Sequence, residues 1–412
     1  MERSIFMSLI KPFRAARPAP SLAAQIASVP YDVVTRKEAK HLADESPHSF
    51  LRVTRAEVDL PETIDVYAPE VYQRAKENLD QFINRAILIE EAKPCLYIYR
   101  LTVGGHSQTG VAACCSLDEY DRNLIKKHEK TRPDKEDDRT RHIVETRSQT
   151  GLVFLCYRGT EQINRLVSRA TTTAPLYEFT AQNGVEHIIW RVEQTADLVA
   201  AFAEVPALYI ADGHHRVASA SRAQQILKEQ AGSANGDYDF FAAAMFPAAE
   251  LKILAYNRAV KDLNNLSDEE FLARVRQSFI VAETSIHVPE RRGEFCLYLS
   301  GKWYKLIFNV QFLRELNPVD ALDVSLLQDF LLSPILGIKD VRTDERIQFV
   351  GGARGTKCLE KLVNEKHAQA AFSLFPTAIE DLLRISDAGE IMPPKSTWFE
   401  PKLRDGLLVH LI

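Results

Sequence analysis

Residues 205–222, VPALYIADGHHRVASASR, decide how this chain is read. The apolar run 207–211 reads as a short buried strand, and Asp212-Gly213 is a strong breaker pair that ends it. His214, His215 and Arg216 then open an amphipathic helix with Val217, Ala220, Ala223 and Leu227 on one face. A strand, a tight glycine turn, a basic cluster and a helix start together aim positive charge and backbone N–H groups at an anion. Gly213 lets the backbone take a positive φ or pass close to a ligand. Arg216 offers a fork matched to phosphate oxygens, and either histidine can donate a hydrogen bond. Asp212 reads in three ways: metal ligand, orienter of a histidine, or plain helix N-cap. The chain carries no G-x-x-x-x-G-K-[ST] run, so this is not a P-loop.

Outward from this turn the chain mixes strands and helices without strict βαβ alternation, which predicts an α+β fold. The stretch 26–34, IASVPYDVV, reads as a strand or extended turn broken by Pro30. Thr35 caps a helix over 36–44, and 50–54 looks like a strand. A helical period runs through Val71, Ala75, Leu79 and Phe82. Strands at 95–103 and 108–116 flank the hairpin signal Gly104-Gly105. The composition changes near 260, where an acidic helix capped by Ser267 and the hairpin 295–299/303–308 follow. A helix is read over 324–332. The boundary near 260 predicts a domain over 1–260 and an additional α+β part over 261–412.

With 46% hydrophobic and 26% charged residues, the 412-residue chain can bury a sizeable core. A net charge of -5 argues against a general nucleic-acid binder. The N-terminus has no sustained apolar segment, and no run has the length of a membrane span. The six cysteines form no C-x-x-C pair and read as buried reduced thiols of a cytoplasmic protein. No spacing matches a structural zinc site, and no G-x-S-x-G elbow is present.

Four further stretches can carry chemistry. In Pro30-Tyr31-Asp32, Tyr31 can stack on a base or close a pocket, and Asp32 can take the proton of an attacking hydroxyl. Within 126–142, KKHEKTRPDKEDDRTRH, Lys130 and Arg132 can contact phosphate. In the same run His128 and Glu129 can contact substrate, Glu129 can bind Mg²⁺, and Asp138 can pair with His142 at i,i+4. The plain alternative is a solvated charged helix or loop. Lys395-Ser396-Thr397, with Phe399, Pro401 and Lys402, reads either as a loop closing over a site or as a terminal strand with solvated lysines. Gly351-Gly352 with Arg354-Gly355 is a weaker anion-turn signal.

ADGHHR, together with IASVPYDVV, HEKTRP, QFVGG and MPPKSTWFEPKLR, resembles the bacterial family called domain of unknown function 1015 over nearly the entire chain. Through its glycine-histidine-arginine turn that family is similar to the ParB/sulfiredoxin-like group, which includes free serine kinases. The resemblance implies a ParB/sulfiredoxin-like nucleotide-binding core in which Gly213, His215 and Arg216 occupy the phosphate-gripping positions. It implies ATP or ADP as co-substrate with Mg²⁺, held by Asp212 or Glu129, and a small hydroxyl metabolite such as free serine as acceptor. His215 and Arg216 are then catalytic, with Asp32 as the candidate base; Asp32 is read from its own turn and not matched to a family position, and its alternative is an ordinary aspartate in a helix-entry turn. Asp212, Gly213, His214, Lys130 and Arg132 join the nucleotide site, and Tyr31, His128, Glu129, Lys395 and Ser396 meet the substrate. His214 stands where sulfiredoxin has its cysteine, which argues against sulfinate repair. The ParB arginine-rich helix is missing after this turn, which argues against chromosome-partition DNA binding. A non-catalytic nucleotide or phosphometabolite sensor is the alternative, and a homo-oligomer stays open.

Overall fold

Apolar runs bounded by glycine and proline form strands, and runs with a three-to-four-residue apolar period form helices. The result, in a computed structural model that describes residues 10–232 and 235–412, is a mixed α/β structure with several sheets. The absence of an apolar leader was read partly from residues 1–9, which lie outside the described residues. One unit takes the described residues through Lys127, Thr131–Leu251 and Pro401–Ile412; the other takes His128–Lys130 and Lys252–Glu400. The change of composition near 260 thus falls inside the second unit, and the end of the 261–412 segment belongs to the first. Strand pairing is the reason. Val409–Leu411 is hydrogen-bonded between Ala15–Pro18 and Ser148–Gln149, a long-range pairing that leaves no mark on local composition.

The first unit is built on a nine-stranded sheet. Its central strands, in spatial order, are Leu208–Asp212, Val153–Tyr157, Phe240–Pro247, His106–Ser116 and Leu96–Val103. Leu208–Asp212 runs antiparallel to Val153–Tyr157, which is parallel to Phe240–Pro247. The hairpin Leu96–Val103/His106–Ser116 turns at Gly104 and Gly105, with φ of 55° and 80°, the left-handed pair that a tight twisted hairpin needs. Val111, Leu155, Leu208 and Ile210 are buried completely and anchor the core. Helices Pro69–Asn84, Pro133–Thr146 and His214–Ala231 pack in sequence against one another. The last buries Val217, Ala220, Ala223 and Leu227, the face expected from its period.

Two local readings are corrected. Residues 50–54 are not a strand: Leu51–Thr54 is a helical turn closed by the Arg55 N–H on Leu51 O at 2.8 Å. A short apolar run does not distinguish a strand from a buried turn. Residues 26–34 are not a continuous strand either. The helical turn Ala23–Ile26 ends there, and Ser28 makes an isolated bridge to Asp405. The cap at Thr35 stands as read, with Thr35 Oγ1 accepting from Glu38 N and Glu38 accepting from Thr35 N.

The second unit is an antiparallel six-stranded sheet in the order Phe279–Glu283, Lys302–Phe308, Glu294–Leu299, Ala370–Leu374, Tyr256–Val260, Ile347–Gly351. Helix Gly355–Asn364 packs on it through Leu359. The helix read at 324–332 is Asp323–Leu327 followed by a π-turn, Gln328–Leu332. Among the described residues, no helix is long and apolar enough to cross a membrane.

Candidate functional site

The strand Leu208–Asp212 ends at Gly213, whose φ of 95° turns the chain into helix His214–Ala231. A Cβ on Gly213 would meet Val153 only at 3.6 Å, so backbone conformation rather than crowding calls for glycine. Asp212 is not the N-cap; Gly213 is. The Asp212 carboxylate accepts the Gly213 N–H at 3.0 Å through Oδ1 and takes Lys402 Nζ at 2.6 Å through Oδ2. Burial by itself would raise this carboxyl. The charge and hydrogen bond of Lys402, helped by Arg216 and His214, overcome burial and hold it well below the usual carboxylate range.

Arg216, in the first turn of the helix, is the centre of the site. Its Nη1 donates to Leu152 O at 2.8 Å, and its Nη2 lies 3.7 Å from Asp405 Oδ1 and 4.0 Å from Asp32 Oδ1. Both distances exceed a hydrogen bond, so the two carboxylates act on the guanidinium mainly through charge. Burial would lower its pKa; Asp405, Asp32 and Tyr31 more than offset that, and the guanidinium stays charged. Asp405 is buried, and among the described residues its Oδ1 has no hydrogen-bond partner. Burial raises its carboxyl to about 6; Arg216 opposes, Asp32 adds to the rise, and the Tyr31 N–H opposes. Gly151 makes room for this group, since a Cβ there would lie 2.3 Å from Asp405 Oδ1.

The Tyr31 ring lies beneath two guanidiniums, Arg139 at 4.3 Å and Arg216 at 5.5 Å from its centroid. Arg139 is tied to Asp138 by Nε at 3.0 Å, and Asp138 also accepts from Tyr72 Oη at 3.0 Å. Tyr31, Tyr72, Asp138 and Arg139 line a cleft of about 280 Å³ that Asp32 and Lys135 also border. A cavity of about 30 Å³ shares Tyr31, Arg139 and His142 with it and reaches Arg216 and Asp405. The expected pairing of Asp138 with His142 does not form, because nearer partners hold each of them. His142 Nε2 donates to Val53 O at 3.0 Å, and burial lowers the imidazole to about 4, leaving it neutral.

Tyr31, Asp32 and Arg216 thus converge. His215 is close by, its Nε2 accepting the Arg132 N–H at 3.0 Å. The Arg132 guanidinium grips Asp134 at 3.2 and 3.0 Å. His214 is buried at the helix start. His128, Glu129, Lys130, Lys395 and Ser396 belong to the second unit. There the His128 carbonyl accepts from Met392 N, Lys395 O accepts from Arg258 Nη2, and Ser396 Oγ donates to Pro393 O. Each Asp212 oxygen carries a hydrogen bond, one from the Gly213 N–H and one from Lys402. Sequence reading missed Asp405, Arg139 and Tyr72. The Asp405-Gly406 breaker pair is the one local signal that marks the first of them.

By structure, the chain is similar to a free serine kinase in complex with AMP, at 15% identity and a TM-score of 0.38, covering 73% of this chain and 92% of that one. It is also similar to a conserved hypothetical protein from Pyrococcus furiosus (14% identity, TM-score 0.35, 73% and 95% covered). A third similar structure is SbnI with a C-terminal truncation from Staphylococcus aureus (12%, 0.38, 73% and 87%). No curated protein matches. The family model named "Protein of unknown function (DUF1015)" matches residues 10–325, a span that holds Tyr31, Asp32 and the 212–216 turn and stops short of Asp405. On that match, over most of its length, the chain belongs to the DUF1015 family.

Proposed function

We propose that the chain is a nucleotide-dependent phosphotransferase of the ParB/sulfiredoxin-like kind, acting in the cytoplasm on a small hydroxyl metabolite such as free serine. The observation that carries this reading is the charged Arg216 guanidinium, which follows a glycine turn and stands 4.0 Å from the half-exposed Asp32 at the wall of a cleft. Phosphoryl transfer needs positioning, charge neutralisation and a base, and these groups supply all three. Asp32 takes the proton of the acceptor hydroxyl as its oxygen bonds to the transferred phosphorus. The bond from that phosphorus to the bridging oxygen breaks, and the electron pair leaves with the nucleotide. Arg216 and the positive end of the His214–Ala231 helix neutralise the phosphate, with His215 beside them. Mg²⁺ enters with the nucleotide, as part of the substrate.

The test is direct. Purified protein with ATP or ADP, Mg²⁺ and a panel of hydroxyl compounds including L-serine should give a phosphomonoester by ³¹P NMR. Arg216→Ala and Asp32→Asn should each abolish it. One observation favours a second reading, a non-catalytic nucleotide sensor: Arg216 already has carboxylates for counter-charges. Nucleotide binding without turnover across the panel, unchanged in Asp32→Asn, would select the sensor.

A further inference from the structure

The two ends of the Arg216 guanidinium are placed differently. Nη1 is committed to Leu152 O at 2.8 Å. Among the described residues Nη2 makes no hydrogen bond; it faces Asp405 Oδ1 at 3.7 Å and Asp32 Oδ1 at 4.0 Å. The two acids differ in their freedom. The Asp32 side chain is 49% exposed and can turn toward water when another anion reaches Nη2. The Asp405 side chain is 2% exposed, and its backbone is fixed by two hydrogen bonds with Ser28, at 2.9 and 3.1 Å. Gly151 packs against its carboxylate so closely that a Cβ there would lie 2.3 Å from Oδ1. Asp405 therefore stays beside Nη2 whatever else arrives.

An oxyanion on Nη2 sets a further negative charge beside this fixed, buried carboxylate, where water screens little. A proton on Asp405 removes the repulsion and leaves the guanidinium to the incoming anion.

We propose that Asp405 is a positioning residue that couples anion binding at Arg216 to a proton: an oxyanion seats on the guanidinium as the Asp405 carboxylate takes one proton from solvent, and it departs as that proton returns. This deepens the anion site on which the phosphotransferase reading rests, and it holds equally for the sensor. The surroundings of Asp405 agree with it. Burial is the largest influence and raises the carboxyl to about 6. Arg216 opposes from helix His214–Ala231, Asp32 adds to the rise, Arg139 opposes from helix Pro133–Thr146, and so does the Tyr31 N–H. His142, which borders the same small cavity, stays neutral with its imidazole at about 4. Asp212 also acts on Arg216, but Lys402 keeps it ionised. His214 and His215, in the same turn as Arg216, supply whatever pH dependence persists once Asp405 is made neutral.

Sulfate is the probe, because its charge does not change across this pH range. Calorimetric titration of the full chain should show sulfate affinity rising about tenfold from about pH 8 to about pH 6. Asp405→Asn should bind about tenfold more tightly than the wild type at the higher pH and lose most of the dependence. An infrared difference spectrum on adding sulfate at about pH 7 should gain a protonated-carboxyl band in the wild type and in Asp32→Asn, and none in Asp405→Asn. The same pH dependence in Asp405→Asn as in the wild type overturns the proposal, as does a carboxyl band that vanishes in Asp32→Asn. If Asp405→Asn does not fold, the wild-type spectrum decides, and sulfate binding without a carboxyl band overturns the coupling while the anion site stands. Sulfate that binds neither protein at either pH overturns both the coupling and the anion site beneath it.

Discussion

Arg216 in the first unit and Arg258 in the second are both taken out of water, in opposite surroundings. Arg216 stands between two carboxylates, Asp405 and Asp32, which keep it strongly charged. Among the described residues, Arg258 has no carboxylate at ion-pair distance. It donates to the carbonyls of Tyr256, Asn257 and Lys395 and lies 4.5 Å over the Phe349 ring. Burial lowers its guanidinium to about 9, with Tyr256 opposing weakly, and it remains a cation at neutral pH. Carbonyl oxygens hold a guanidinium by geometry, so Arg258 pins backbone, including that of Lys395 at φ 58°. Carboxylates hold one by charge, and that charge can be redistributed when another anion arrives. The first arrangement suits architecture and the second suits chemistry.

The comparison breaks most sharply on turnover. Arg216→Ala should lower phosphotransfer by about a thousandfold, since an arginine that neutralises transferred phosphate is worth that much or more. Arg258→Lys, which keeps a donor for the carbonyls, should leave kcat within a few-fold. Equal losses in the two variants would erase the distinction between the two arginines.

Stability gives the next effect. Arg258→Met removes the donors to three carbonyl oxygens and should cost about 3 kcal/mol in urea denaturation. A loss below about 0.5 kcal/mol would mean that the carbonyls are not held as described.

The pH dependence follows from Asp405. Its folded-state pKa, about 6, lies above the ordinary 3.8, so the folded protein holds this proton more tightly than the unfolded chain. The stabilisation is therefore complete below the unfolded value and is lost as pH rises through about 6. Between pH 4 and 7 it amounts to roughly 2–3 kcal/mol. Urea titrations at both pH values should show this decline in the wild type and not in Asp405→Asn; parallel slopes would remove Asp405 as its source.

Gly151→Ala should cost about 2 kcal/mol, because the added methyl must displace the Asp405 carboxylate or its own backbone. Restored stability in the double variant with Asp405→Ala would locate the clash. The smallest effect belongs to Lys402→Met, within about 1 kcal/mol, as expected for a partly exposed pair. It should also let the Asp212 carboxyl rise toward its ordinary value in a ¹³C NMR titration.

Features that depend on near neighbours were legible in the amino-acid order. The Thr35 cap joins residues three apart, and the glycine hairpin at 104–105 and the 212–216 turn each span a few residues. Leu51–Thr54 was misread because four apolar-rich residues carry no usable period. The Asp138–His142 spacing suggested a pair, but Tyr72, Arg139 and Val53 reached these side chains first. The cleft itself was not legible. Its groups and those of the adjoining cavity come from the N-terminal region, the middle of the chain and its last residues, and nothing local marks Asp405 as the neighbour of Arg216.

The sequence by itself determined the strand–glycine–helix turn and the basic groups that it presents, because breaker residues and helix periodicity act over one or two turns. Only the tertiary structure decided which acids face Arg216. It returned 401–412 to the first unit, set Lys402 on Asp212 and Asp405 beside Arg216, and left Asp32 at the cleft. Backbone pairing of Val409–Leu411 between two distant strands makes those contacts, and such pairing depends on the closed fold rather than on any stretch of sequence.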